Sequence, residues 1–477
     1  MSWVKSYSIW WTQLLKDDPV HVFIESILVI CLLYFLLLSK SSKVASFDEK
    51  LSKKEQENLI QEWKCAPMTP PLTETEKDVI LNARIVQRFD GPYVELVDES
   101  SGKITKVLNF AGFDFLGLAN SEDLKAVSRD ALNLYGCGSC GPRGFYGTID
   151  AHLTLEDTFS ELCGSESAIM YSDGASAVSS TVSAFAKRGD LLVVDEGVYE
   201  ALLTGVTLSR SNVRTFKHND MDDLRKVLED IQREDKKLRR KAAGQRRFIV
   251  VEGLYRNYGD ICPLDELVVL KNEFFYRLIV DESLSFGTLG PRGLGLQDHF
   301  NIMGKDSVEI TTVSLENSIG SVGGMTFGNL EVVDHQRLSG AGYCFSASAP
   351  PFVASASCAA LKIIGDKNNS KSPVKQLQTN VATLYKGLKK IKGLNIKSSE
   401  LSPIIFLTFA NEKKNNLKSY QSLVDKFISA GIVIVSTGSH VIHHLKIVPP
   451  PMIRVSVSAL YTDAQLKLCI STFAKNI

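Results

Sequence analysis

The chain reads as an α/β protein: a mainly parallel sheet flanked by helices, then a smaller α+β C-terminal domain, with an N-terminal transmembrane helix in front. Three observations carry this reading. Short apolar runs without strict alternation recur at Leu191–Val194, Phe248–Val251, Leu278–Val280 and Ile310–Leu315, as expected of strands buried on both faces of a parallel sheet. Helical patterns lie between them, and strands alternating with helices place helices on both sides of such a sheet. After Ala349-Pro350-Pro351 the order changes, and Ile404–Phe409, Ile432–Val435 and Ile453–Val457 read as strands of the smaller domain.

The N-terminus is apolar in a different way. Val20 to Leu38 is interrupted only by His21, Glu25, Ser26 and Tyr34. As a helix it would rise about 28 Å, close to the ~30 Å of a bilayer's hydrocarbon. Trp3, Tyr7, Trp10 and Trp11 precede it, as in an amphipathic interfacial segment. A signal peptide is the alternative, but a long polar and aromatic stretch comes first and no small-residue cleavage site follows. Lys40, Lys43, Lys50, Lys53 and Lys54 follow the span, against Lys5 and Lys16 before it, so the bulk of the chain is expected in the cytosol. Residues 1–45 are therefore read as the membrane segment and 46–82 as a linker, with Cys65–Leu72 extended by three prolines. Residues 83–350 form the large domain and 351–477 the small one.

In the large domain the clearest helix carries Leu224, Val227, Leu228 and Ile231 on one face, after Asn219-Asp220 as a cap. It runs into the basic stretch 233–247, a solvated face or a lipid-headgroup contact. Lys+Arg and Asp+Glu are each 54, and that balance gives nucleic acid no electrostatic foothold. The nine cysteines follow no framework, which reads as reduced thiols.

Two strings stand out. Gly136 to Thr148 (GCGSCGPRGFYGT) holds five glycines, so its backbone must turn sharply or approach something closely. Its Cys137-Gly-Ser-Cys140 lacks the second ligand pair that zinc would need. The second string, Thr311 to Gly324 (TTVSLENSIGSVGG), ends a strand-like run in Ser-x-x-x-Ser and then a glycine-rich turn.

Together with Phe216–Met221, Phe248–Tyr255, Glu282–Gly287 and Asp334–Ser348, these strings resemble the first long-chain-base subunits of serine palmitoyltransferase. Those proteins belong to the α-oxoamine synthases, which have the fold-type-I pyridoxal-phosphate transferase architecture. The match runs colinearly from about Trp63 to the C-terminus. Active relatives carry a Schiff-base lysine in a Lys-x-x-Gly-x-x-Gly-Gly context, and aligning on Gly320 and Gly323-Gly324 places Asn317 on that lysine. An amide nitrogen is not nucleophilic and cannot hold the cofactor covalently.

Other family positions differ as well. The ring-stacking histidine aligns with Tyr199, the catalytic histidine with Leu284, and the serine that contacts the cofactor's 3′-oxygen with Arg256. The aspartate that pairs with the ring nitrogen survives as Asp281, which neighbouring backbone hydrogen bonds would suffice to retain.

The resemblance implies a non-catalytic but required subunit of an endoplasmic-reticulum acyltransferase that condenses L-serine with palmitoyl-CoA. Pyridoxal phosphate would be bound covalently by a lysine-bearing partner subunit at a shared interface. Cys137, Cys140, Arg143, Phe145 and Tyr146 of the glycine-rich loop are the candidates for contact with the partner's site, together with Ser346. Arg454 matches a family arginine for the amino-acid carboxylate, but in this chain a structural salt bridge is expected, and His218 is expected to be a satisfied hydrogen-bonding residue. Two other readings stay open: a membrane-anchored regulatory scaffold, and an independently active α-oxoamine synthase, which Asn317 and Leu284 together disfavour.

Overall fold

The computed structural model describes residues 84–98, 102–241, 244–302, 307–366, 372–438 and 449–477, and parts of 9–38 and 52–80. Two compact units emerge, Met1–Leu72 and Thr73–Ile477. In the first, helix α1 spans Pro19–Leu38. A second helix, Lys53–Glu62, starts at a capping box: Glu55 N–H donates to Ser52 Oγ, and Ser52 N–H to Glu55 Oε2. On α1, Val20, Phe23, Ile24, Leu28, Ile30 and Leu32 are exposed. Among the described residues, no helix is long and apolar enough to cross a membrane; the side chains at 21 and 35–38 fall outside that description. Trp3, Tyr7, Trp11, Lys40, Lys43 and Lys50, and the expected domain start at Ala83, also lie outside it.

The second unit is built on a seven-stranded sheet. Three strands precede that sheet in sequence: β1 (Ile85–Asp90), β2 (Tyr93–Val97) and β3 (Ile104–Asn109). The sheet itself comprises β4 (Ser167–Tyr171), β5 (Leu191–Asp195), β6 (Asn212–Phe216), β7 (Arg247–Glu252), β8 (Arg277–Asp281), β9 (Ile310–Ser314) and β10 (Gly324–Gly328), in the order β4-β10-β9-β8-β7-β5-β6. The strands from β9 to β6 pair in parallel, while β10 is antiparallel to both neighbours. The four apolar runs fall on β5, β7, β8 and β9, buried almost end to end. Along β4, Ala168 and Met170 join one core and Ile169 and Tyr171 another, so both faces are covered.

Helices α2 (Glu122–Tyr135), α3 (Asp150–Cys163), α4 (Gly174–Phe185), α5 (Glu200–Ser209) and α6 (Met221–Leu238) connect the strands up to β7. Asp220 caps α6, accepting from Asp223 N–H at 2.9 Å, and the predicted face packs inward through Leu224, Leu228 and Ile231. The basic stretch after it is partly paired: Asp235 holds Arg240 and Arg247 at 3.1 and 2.6 Å.

The C-terminal part carries a four-stranded sheet, β11 (Leu394–Ile396), β12 (Ile404–Phe409), β14 (Val435–Ser436) and β15 (Ile453–Ser456), in the order β11-β12-β15-β14. The expected strand Ile432–Val435 divides. β13 (Ile432–Val433) pairs in parallel with β3, and β14 turns to pair with β15. One apolar core runs without a break from Phe159 and Phe286 to Val353, Ile404 and Phe473.

Gly320 sits in the tight turn between β9 and β10 with φ +70°, where a Cβ would lie 2.4 Å from the Ala119 amide nitrogen. Gly320→Ala should therefore cost about 1–3 kcal/mol from backbone strain alone, with the clash adding to it. A urea midpoint unchanged from wild type would count against this.

Candidate functional site

The C-terminal ends of β7, β8 and β9 form one floor, and each ends on a polar residue: Glu252, Asp281 and Ser314. This end of an open parallel sheet is where such folds place ligands. Asp281 is 2% exposed and accepts hydrogen bonds from Ser283 Oγ at 2.7 Å and Thr312 Oγ1 at 2.9 Å. Side-chain hydroxyls, rather than the expected backbone amides, thus hold it. Burial pushes its carboxyl up, while these hydroxyls and the Arg256 charge pull the other way.

Glu252, also buried, accepts from Tyr199 N–H at 2.8 Å and Arg256 N–H at 3.0 Å. One carboxylate so fixes the backbone at both Tyr199 and Arg256. Burial raises Glu252 well above the usual carboxylate range, and the nearby Asp281 adds to this. Tyr199 is buried at the start of α5, and burial first, then Asp281 and Glu252, keep its phenol protonated.

Asn317 is 4% exposed, and its Nδ2 donates to Ser283 O at 2.9 Å while its own carbonyl accepts from Phe115 N–H at 3.0 Å. Leu284 belongs to the apolar core. The Arg256 guanidinium carbon is 5.2 Å from the centroid of the Tyr199 ring and 5.2 Å from that of Phe113. Arg454 lies over the same Phe113 at 4.4 Å and donates from Nη2 to Ala111 O at 2.9 Å. Among the described residues no carboxylate pairs with it, so the expected salt bridge is replaced by a carbonyl and an aromatic face. Burial, helped by the neighbouring Arg256, pulls Arg454 down to about 10.

The glycine-rich loop divides its residues between two directions. Phe145 and Tyr146 are 65% and 102% exposed, Cys137 and Cys140 are exposed thiols, and Phe345 across the loop is 85% exposed. Arg143 turns inward instead, at 6% exposure. Its Nη1 and Nη2 reach Glu156 at 2.8 and 3.1 Å, and its Nε donates to Thr148 Oγ1 at 3.0 Å. That arginine therefore braces the loop from within and does not stand on the exposed face expected for it. Ser139 Oγ donates to Ser348 O, and Ser348 N–H to Gly141 O, both at 2.9 Å, pinning the loop to 345–349. Ser346 is half-buried, its Oγ 3.2 Å from Ser172 Oγ.

His218 is fully engaged: Nδ1 lies 2.9 Å from Asp195 and Nε2 3.1 Å from Asp260, with the ring stacked on Tyr258 at 4.0 Å. Phe113, Ser283, Thr312 and Asp173 also belong to this region and were not singled out from sequence. Only Asp173 carried a legible signal, an Asp-Gly pair opening a helix.

The aminotransferase class I and II family pattern matches residues 105–473. "Serine palmitoyltransferase 1" of Dictyostelium discoideum is 39% identical over 467 residues, 95% of this chain and 93% of that protein. The chain belongs to the serine palmitoyltransferase 1 family. "Long chain base biosynthesis protein 1" of Arabidopsis thaliana is 38% identical over 450 residues, 94% of this chain and 89% of that one. A solved serine palmitoyltransferase of Sphingomonas wittichii superposes with a TM-score of 0.73 at 23% identity, covering 84% of this chain and 95% of that one, which establishes the shared fold.

Membership in the serine palmitoyltransferase 1 family raises the question of pyridoxal phosphate. The residues present do not fit its covalent attachment. Asn317 offers no nucleophile, and its amide is already spent on Ser283 O.

Proposed function

We propose that this chain is the non-catalytic but required subunit of a heteromeric serine C-palmitoyltransferase. The complex would condense L-serine with palmitoyl-CoA to 3-ketodihydrosphingosine, the first step of sphingolipid synthesis. The observation that carries this reading is Asn317, buried and hydrogen-bonded at the position that the resemblance aligns with the lysine of active relatives. Leu284 supports it, since a core leucine neither transfers protons nor hydrogen-bonds. A lysine-bearing partner subunit would hold pyridoxal phosphate covalently, and the cofactor would supply an electron sink there. The α1 helix anchors the complex in the endoplasmic reticulum membrane as a single span, with the bulk of the chain cytosolic. Its exposed apolar side chains and the lysines that follow it in sequence favour this.

The role of this chain's own residues is to shape and close the partner's pocket. Phe145 and Tyr146 of the glycine-rich loop and Phe345 of the segment pinned to it are each exposed, and the loop also carries two exposed free thiols; aromatic side chains are enriched in protein interfaces. Phe145→Asp combined with Tyr146→Asp should weaken association with the partner by about 2 kcal/mol or more, roughly 30-fold in Kd. The melting temperature of the isolated chain should stay unchanged. Undiminished co-purification would remove this face from the proposal.

The deciding experiment has two arms. The purified chain mixed with pyridoxal phosphate should show no visible-range absorbance of a lysine-bound cofactor, and borohydride should fix none. Co-expressed with a lysine-bearing homologue, it should yield serine- and palmitoyl-CoA-dependent product. Activity that survives removal of this chain would refute the subunit role.

A further inference from the structure

The site at the strand ends has a charge at each of two places, and both charges belong to the chain itself. At one, the flat Arg256 guanidinium lies 5.2 Å from the ring centroids of Tyr199 and Phe113, held by two aromatic faces. The buried carboxyls of Asp281 and Glu252 lie in its field, and its positive charge favours the ionised form of each. At the other stands the N-terminus of α4, twelve residues long. A helix start of this kind receives phosphate readily. Here the Asp173 carboxylate already takes the Ser176 N–H at 2.7 Å. Ser314, at the end of β9, also packs close to this helix start: a Cβ on Gly174 would lie 2.6 Å from its Oγ.

Pyridoxal phosphate carries the same two charges: a flat ring that is cationic when its nitrogen is protonated, and an anionic phosphate. We propose that Arg256 and Asp173 stand in for ring and phosphate as built-in charges, closing this site to the cofactor even as a non-covalent ligand. The inference rests on the subunit reading above and goes further. Loss of the lysine alone would leave a site that still holds the ring by stacking and the phosphate by the helix start. With Arg256 in place, an incoming ring meets a cation on the Tyr199 face, and displacing that cation leaves Asp281 and Glu252 without it. With Asp173 in place, an incoming phosphate meets a carboxylate at the amides it needs. Like charges brought together at these half-buried positions repel.

The probe is 4′-deoxypyridoxine 5′-phosphate, which keeps ring and phosphate but has no aldehyde, so lysines elsewhere cannot trap it. Titrated by calorimetry into the full-length chain in detergent, it should show no saturable binding at millimolar concentration. The Arg256→Ser/Asp173→Asn double variant should bind about 100-fold more tightly, each lifted repulsion being worth roughly tenfold. Each single variant should fall between. Saturable micromolar binding by the wild type would overturn the proposal. So would a double variant that is folded by circular dichroism and binds no better than wild type. Should the double variant not fold, Asp173→Asn alone decides, since asparagine still caps the helix: a gain of about tenfold supports the proposal and no gain rejects it. The two readings fail separately. Probe binding by a wild-type chain that still requires its partner sinks only this inference, whereas activity without the chain sinks only the subunit role.

Discussion

Replacing Arg143 with methionine should destabilise the folded chain by about 3–5 kcal/mol, the usual cost of breaking a buried ion pair and stranding its partner. The side chains of Arg143 and Glu156 are only 4% and 6% exposed. Glu156 also accepts from Met170 N–H at 2.8 Å, and Arg143 Nη1 reaches Met170 O. The pair therefore ties together the glycine-rich loop, helix α3 and strand β4. With the arginine gone, Glu156 keeps one backbone partner but loses its counter-charge in a dry site. Arg143→Lys should recover only part of the loss, because an ammonium cannot make the forked contact or reach Thr148 as well. Arg143→Met/Glu156→Met together should be less damaging than Arg143→Met alone. Urea melts of these three variants and of Glu156→Met check this; a double variant as unstable as the sum of the two methionine singles would show that the two residues act independently. Because the same arginine braces the loop that presents Phe145 and Tyr146, partner binding should fall along with stability.

The parallel strands were legible because burial on both faces leaves an unbroken apolar run, and Leu191–Val194 and Phe248–Val251 have little else to be. Strand β10, Gly-Met-Thr-Phe-Gly, was not. Glycine at both ends and a central threonine carry no clear strand pattern, and only pairing with β4 and β9 makes it a strand. Ile432–Val435 read as one strand because apolarity reports burial and not direction, and the chain there changes sheets in mid-run. Within the site, Asn317, Leu284 and Arg256 could be aligned with family positions because glycine and acidic landmarks flank them. Phe113 could not, since it meets Arg256 and Arg454 only across more than a hundred intervening residues, a distance that no local pattern encodes. Arg143 and Arg454 were assigned the wrong surroundings for a related reason. Arg143 lies in a glycine-rich loop and looks exposed, and Arg454 looks like half of a salt bridge; only the fold shows that Glu156 and the Ala111 carbonyl wait beneath them.

Removing His218 should cost about 3–5 kcal/mol at neutral pH, since its imidazolium bridges two carboxylates in a largely buried site. Burial by itself would lower its pKa, but the hydrogen bonds and charges of Asp195 and Asp260 outweigh that and raise it from 6.5 to about 10. A raised folded-state pKa means that folding takes up a proton on this ring. The stabilisation is therefore complete below about 6.5 and is lost progressively as the pH rises through about 10. Wild-type stability should decline across that alkaline window, and His218→Gln, which keeps a hydrogen-bond donor but no charge, should lack this component of the decline. Asp195 is fully buried and also accepts from Tyr255 OH and from the Gly197 and Asn219 amides, so it stays anchored when the ring is lost. Asp260, 30% exposed at its side chain, should then turn to solvent. Urea midpoints at pH values on both sides of the window would decide the matter. Equal alkaline slopes in wild type and His218→Gln would mean that the ring is neutral in the folded protein, and that its two carboxylates hold it as hydrogen-bond acceptors only.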